Sequence, residues 1–252
     1  KKGVVVKPMV FNEFNSRCQV DLIDFQSHPD GKYRFIMVYQ DHLTKFVILK
    51  PLEFKRAELV AYNIIDIFTL IGAPSVLQSD NGREFSNQIV SSLKDLWPEL
   101  NIVHGKPRHS QSQGSVERAN QDIENMLTTW MQEQNTSQWS QGLRFIQLMK
   151  NRAYHSGIKT TPYEALFGCK IKIGLNTSNL PKEVVENIKT EEDLTAITES
   201  ETTTNIIELE DPSTKIKSNN ENALNLRKNA TKNLEIQADK MKKLSDKKTS
   251  SS

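Results

Sequence analysis

Asp21, Asp80 and Glu117 are three carboxylates whose surroundings suit chemistry. Taken singly, each is a solvated or capping residue more often than a functional one. Brought together, three hard oxygen donors are costly unless cations compensate them, and Mg²⁺ prefers such ligands. Two such ions about 4 Å apart can activate a nucleophile and stabilise a leaving oxygen in phosphoryl transfer. Asp80-Asn81-Gly82 forms a tight turn, because Asn and Gly tolerate positive φ. The segment from Pro107 to Arg118 is polar and then abruptly helical, which suits contact with a nucleic-acid backbone and presents Gln113 and Glu117 from the start of a helix. Asn81, Arg83, Lys106, Arg108, His109, Gln113 and Arg118 flank the expected edge and are the candidate contacts to a nucleic-acid backbone. A cationic rim is needed to offset repulsion between carboxylates and phosphates. Nothing reads base sequence in the manner of a recognition helix.

The elements that must position these residues follow from periodicity. Residues 17–25 read as a strand holding Asp21, with Val20, Leu22 and Phe25 as apolar positions. Pro29-Asp30-Gly31 is a turn signal, and residues 33–40 and 43–50 are two more strands, so an antiparallel meander is expected. Residues 54–71 place Leu59, Tyr62, Ile65 and Phe68 on a helical stripe, with Gly72 as its cap. A short strand over 75–79 delivers Asp80. Helices are expected over 84–97, 113–134 and 138–153, a fifth strand over 100–104, and a helix start at Thr161-Pro162. A meander followed by βαβ units implies an α/β fold, a mixed five-stranded sheet flanked by helices.

Other polar residues compete for the site. Asp24 lies on the opposite side of its strand from Asp21 by parity, so both cannot serve one centre. Glu84 suits the dipole at a helix start. His104, His109 and His155 are too scattered for a zinc site, and Cys18 reads as a small buried hydrophobe. Cys18 and Cys169 alone build neither a disulfide scaffold nor a four-ligand zinc site.

Composition then divides the chain. The last aromatic residue is Phe167 and the last glycine Gly174. Residues 1–175 carry 21 Lys+Arg against 17 Asp+Glu, residues 176–211 carry 2 against 10, and residues 212–252 carry 10 against 4, so a net +2 conceals +4, −8 and +6. The expected organisation is a lead-in over 1–16, a folded domain over 17–170, an acidic and disordered linker over 171–220, a Lys-rich helical segment over 221–246 and a loose end over 247–252. No apolar run approaches the ~18 residues of a membrane span, and no signal-peptide pattern is present. A chain beginning at Lys1 is expected to be a fragment of a longer product.

In its motifs the sequence resembles the retroviral-type integrase catalytic core, as found in long-terminal-repeat retrotransposons and their host-domesticated relatives. The resemblance runs from about Gln19 to Gly168. It is carried by Val20-Asp21-Leu22-Ile23-Asp24, Tyr39-Gln40-Asp41-His42-Leu43-Thr44-Lys45-Phe46, Gly72-Ala73-Pro74 and Ser79-Asp80-Asn81-Gly82-Arg83-Glu84-Phe85. The Pro107-to-Asn120 segment, Asn151-Arg152-Ala153-Tyr154-His155 and Thr161-Pro162-Tyr163-Glu164-Ala165-Leu166-Phe167-Gly168 complete it. It implies a ribonuclease-H-like fold in which Asp21, Asp80 and Glu117 are the catalytic residues and the ligands of two Mg²⁺ or Mn²⁺ ions, and in which Asp41 is non-catalytic. Between Asp80 and Glu117 lie 36 residues, one more than the family's usual spacing. The family's His-His-Cys-Cys zinc module would lie upstream of Lys1. The implied activity is metal-dependent DNA 3′-end cleavage and strand transfer by a nuclear homo-oligomer. The alternative is a domesticated, non-integrating nucleic-acid-binding or scaffold protein that keeps the fold, and a ribonuclease H proper fits the motifs less well.

Overall fold

A computed structural model describes residues 13–79, 87–104, 110–173 and 212–249, with residue 186, residues 188–193 and residue 195. Five strands, β1 (Arg17–Asp24), β2 (Phe35–Asp41), β3 (Val47–Leu52), β4 (Val76–Ser79) and β5 (Asn101–His104), form one sheet in the order β3-β2-β1-β4-β5. The β1–β2 and β2–β3 pairs are antiparallel, and β1–β4 and β4–β5 are parallel. The expected meander and βαβ arrangement therefore meet at β1, the central strand.

Helices cover both faces, and side-chain parity sorts the core into two layers. Cys18 and Val20 of β1 with Met37 and Tyr39 of β2 pack under α1 (Ala57–Ile71) and α2 (Asn87–Leu96), whereas Ile23, Phe25, Ile36 and Val38 pack under α3 (Ser110–Glu133) and α4 (Trp139–Arg152). All seven residues of β2 are consequently buried. The sequence reading had set the apolar stripe of α1 on Leu59, Tyr62, Ile65 and Phe68. The buried set is instead Val60, Ala61, Ile64, Ile67 and Phe68, and Tyr62 is 72% exposed. Steps of three drift backwards on a helix of 3.6 residues per turn. Of the expected stripe only Phe68 is therefore fully buried, while Ile65 packs partly against the core and Tyr62 faces out.

Strand β3 is an edge, and its outer backbone groups need partners. Here α4 supplies them. The Asn151 amide donates to the Val47 carbonyl at 2.8 Å and accepts from the Val47 N–H at 2.9 Å, while Gln147 accepts from the Leu49 N–H at 2.8 Å. Four residues of helix rise about 6 Å and two residues of strand about 6.6 Å, which is why amides four apart meet N–H groups two apart.

After α5 (Pro162–Phe167), capped by the Thr161 hydroxyl and by Gly168 at φ 72°, the chain is next described as a continuous element in α6 (Pro212–Thr249). The sequence pattern places this helix over 221–246, as a solvated or partner-binding segment. It docks on the core of its own chain. Ala223 and Ala230 are buried, the latter in a cluster with Leu43, Ile158 and Ala165. Arg227 donates to the carbonyls of Ala165, at 2.8 Å, and Leu166, at 2.5 Å, and Asn222 donates to that of Gly168. Side chains of α6 thus satisfy carbonyls that the end of α5 leaves without helical partners. Small residues let the helices approach closely. A Cβ at Gly168 would stand 1.9 Å from the Asn219 carbonyl oxygen. Among the described residues no helix is long and apolar enough to cross a membrane.

Candidate active site

The odd-numbered residues of β1 face α3, and Asp21 lies among them, half-buried and opposite Val38 of β2. On its other side β1 pairs with β4 through Gln19 and Gln78, and β4 ends at Ser79, the residue immediately before Asp80. Across the sheet from there, β5 meets β4 at its end, where Ser79 Oγ and His104 Nδ1 are hydrogen-bonded at 2.9 Å.

Asp21 is held at both oxygens. Oδ1 accepts from the Leu22 N–H at 2.9 Å and Oδ2 accepts from the Asn120 side-chain amide at 2.7 Å. Asn120 projects from α3 just ahead of Ile123 and Leu127, which anchor that helix in the core. Glu117 lies one helical turn before Asn120 along the backbone of α3, and Gln113 a further turn back. The side chains of 110–117 lie outside the described residues.

The same holds for Asp80, Asn81, Arg83, Lys106, Arg108 and His109, so the expected set is seen at Asp21 and Arg118 in full, and at Gln113 and Glu117 by helix position only. Arg118 is exposed on α3. Asn120 was not singled out from sequence. Its signal was an amide one turn after an acidic residue in a helix. Two basic residues were missed as well. Arg17, on the α3 face of β1, donates to Gln78 Oε1. Lys45 is 5% exposed at φ 61°, and burial, opposed by Asp41 and assisted by the neighbouring Arg17 and Arg118, brings its ammonium down to about 8.

The competing carboxylates are accounted for structurally. Asp24 is exposed at the end of β1 and accepts from the backbone and side-chain amides of Gln26, both at 2.9 Å. Asp41 is buried on the α1 face and builds the β2–β3 turn, accepting from the Thr44 N–H at 2.7 Å, the Thr44 hydroxyl at 2.6 Å and the Asn15 N–H at 3.1 Å. Burial raises its carboxyl despite those bonds. Cys18 is fully buried, and burial pushes its thiol up. The Glu84 reading lies outside the described residues.

This geometry can be set beside known proteins. Over 194 residues the chain is 50% identical to KRAB-A domain-containing protein 2 of Homo sapiens, covering 77% of this chain and 39% of that protein. It is 32% identical over 142 residues to the Pro-Pol polyprotein of Simian foamy virus type 1, covering 56% of this chain and 12% of the polyprotein. A chain of the simian T-cell lymphotropic virus intasome, solved in complex with PP2A regulatory subunit B56 gamma, shares the fold at a TM-score of 0.53 and 17% identity, over 60% of this chain and 53% of that one. The fold is that of an integrase-type core. No protein-family model matches the chain.

An integrase-type core implies divalent cations, and the donors present suit them. The Asp21 carboxylate, oriented by the Leu22 N–H and the Asn120 amide, is a hard oxygen donor of the kind such ions prefer. Beside it, Asn120 Oδ1 is buried and has no hydrogen-bond partner among the described residues. An acceptor left in that state is costly unless a ligand or its hydration water donates to it. Among the described residues no three acidic, His or Cys groups converge on one point, as expected where one of the proposed ligands and the side chain of another fall outside them.

Proposed function

We propose that this chain is a metal-dependent polynucleotidyl transferase of the integrase type, acting on DNA in the nucleus as a homo-oligomer, with Asp21, Asp80 and Glu117 as the cation-binding catalytic residues. The observation that carries this reading is the placement of Asp21. It stands on the central strand, beside the strand that leads into Asp80, and is tied by Asn120 to the helix that carries Glu117.

Bound divalent ions would supply polarisation of the scissile phosphate and activation of a water or a DNA 3′-hydroxyl. The chain's own residues do the rest. The Leu22 N–H and the Asn120 amide fix the plane of the Asp21 carboxylate, so little reorganisation is needed on loading. Arg118, exposed one residue after Glu117, would meet a phosphate, and Lys45 and Arg17, electrostatically coupled to one another, would add positive charge nearby. In 3′-end cleavage a water oxygen forms the new bond to phosphorus and the departing 3′-oxygen takes up a proton. In strand transfer a DNA 3′-hydroxyl attacks instead, with no covalent protein–DNA intermediate, so no Ser or Tyr nucleophile is required.

The experiment is incubation of the chain with end-mimicking DNA and Mg²⁺, reading cleaved and joined products. Wild type is expected to give both, and Asp21→Asn and Asp80→Asn neither. Equal product from wild type and Asp80→Asn would remove the proposal. The 50% identity to a human protein named for a KRAB-A domain favours a second reading, a domesticated DNA-binding form. That form would bind the same DNA and yield no metal-dependent product.

A further inference from the structure

Between α6 and the turn from His155 to Thr160 lies a cavity of about 410 Å³, within the range of small-ligand and cofactor sites. It sits on the α6 side of the core and shares no lining residue with the contact between β1 and α3. Ile158 and the half-exposed Ile236 give it apolar surface, Lys159 stands on the core wall, and Lys232 and Asn229 on the α6 wall. Asn233 ties the two walls by donating to the Ile158 carbonyl at 3.5 Å. No acidic residue lines the cavity.

Neither Lys159 nor Lys232 is neutralised by an acidic partner among the described residues, whereas elsewhere Lys32 pairs with Glu53, Lys50 with Asp66 and Lys150 with Asp122. Lys159 also holds φ at 59°, a left-handed conformation that costs an L-residue with a side chain roughly 1 kcal/mol. Its N–H donates to the His155 carbonyl at 2.9 Å to close the turn. A glycine would close that turn without the cost, so turn geometry does not account for the lysine. The helix opposite contributes charge of the same sign, with 10 Lys+Arg against 4 Asp+Glu over 212–249.

We propose that this cavity is a phosphodiester-binding site, in which a DNA backbone passes between Lys159 and Lys232, a second contact beyond the catalytic edge. The proposal rests on the DNA-directed reading above. Ammonium and amide donors on facing walls match phosphate oxygens, and the apolar wall offers contact to the sugars. The acidic stretch over 176–211 would be repelled by the same DNA, so α6 is the part of the tail suited to it.

The test is fluorescence anisotropy of the whole chain with a labelled duplex over a series of salt concentrations. Each lost phosphate contact lowers the slope of log affinity against log salt by about 0.9. Lys159→Gln with Lys232→Gln is therefore expected to reduce the slope by about 2 and weaken binding about tenfold at moderate salt. Lys159→Gly removes one cation while easing the turn, so a loss of about 1 in slope with undiminished thermal stability is expected. Lys32→Gln with Lys50→Gln should leave the slope unchanged. A wild-type slope retained by both cavity variants overturns this site while leaving the DNA-directed reading in place. Absence of salt-dependent DNA binding by wild type overturns both.

Discussion

A single hydrogen bond organises the candidate site. The Asn120 amide reaches Asp21 Oδ2 at 2.7 Å, and its own Oδ1 is buried without a partner. In the sequence Asp21 stands out as a carboxylate inside an apolar strand, and the integrase-like motif favours it over Asp24. Asn120 does not stand out, because an amide on a polar helix has no signature until the strand beneath it is in place. Groups that orient metal ligands typically govern metal affinity by 10–100-fold. Asn120→Leu is therefore expected to weaken Mn²⁺ binding, followed by calorimetry, by about that factor. It should leave the unfolding temperature within a few degrees of wild type, since it also removes the orphaned acceptor. Wild-type Mn²⁺ affinity in this variant would show that Asp21 needs no support from α3.

Among the elements, the order from β1 to α5 follows the sequence pattern, because strand alternation, glycine caps and the Thr161-Pro162 start are local signals. The third strand, however, begins at Val47 and not at 43, because Asp41 and Thr44 close a turn there. Two helices do not follow the pattern. The phase of α1 depended on which side the sheet lay, and the aromatic Tyr62 was the wrong guide: it is 72% exposed. The fate of α6 depended on a docking surface assembled from Phe14, Leu43, Ile158 and the end of α5, which no window of sequence displays. The stripe that docks, Ala223, Arg227 and Ala230, is small and polar, so its hydrophobicity gave no hint of burial. Its strength lies in hydrogen bonds to the Ala165, Leu166 and Gly168 carbonyls. Arg227→Ala strands two of those acceptors in a partly buried place and is expected to cost about 1–3 kcal/mol in urea unfolding. Truncation after residue 211 should lower the unfolding temperature further, since it also uncovers Ile158 and Ala165. Equal stability of the truncated and whole chains would mean that α6 rides on the core without supporting it.

For the molecule as a whole, the net charge of +2 was a poor guide and the placement of buried titratable groups is a better one. His42 is pushed down to about 3 by burial first and then by Lys45 and Arg17, and His155 to about 4 by burial first and then by Lys45 and Lys150. Both are neutral in the folded chain at pH 6, while the unfolded chain begins to protonate its histidines near 6.5. Below that point the unfolded state binds protons that the folded state refuses, so stability falls as the pH drops from about 6.5 toward 4. Asp41 works in the opposite sense. Its raised carboxyl keeps a proton in the fold above its ordinary range, which offsets part of the loss at the acid end of that window. Lys45, held at about 8, extends the trend on the alkaline side. Between about 8 and its unfolded value the unfolded chain carries its proton and the folded chain does not, so stability rises with pH there too. Urea unfolding at pH 5, 6 and 7 should therefore show a loss on the order of 3–4 kcal/mol from pH 7 to pH 5, less what Asp41 returns. His42→Asn and His155→Asn should each flatten that slope by about half, because both imidazoles stay neutral in the fold down to pH 5. An unfolding free energy independent of pH across this range would mean that both imidazoles reach solvent.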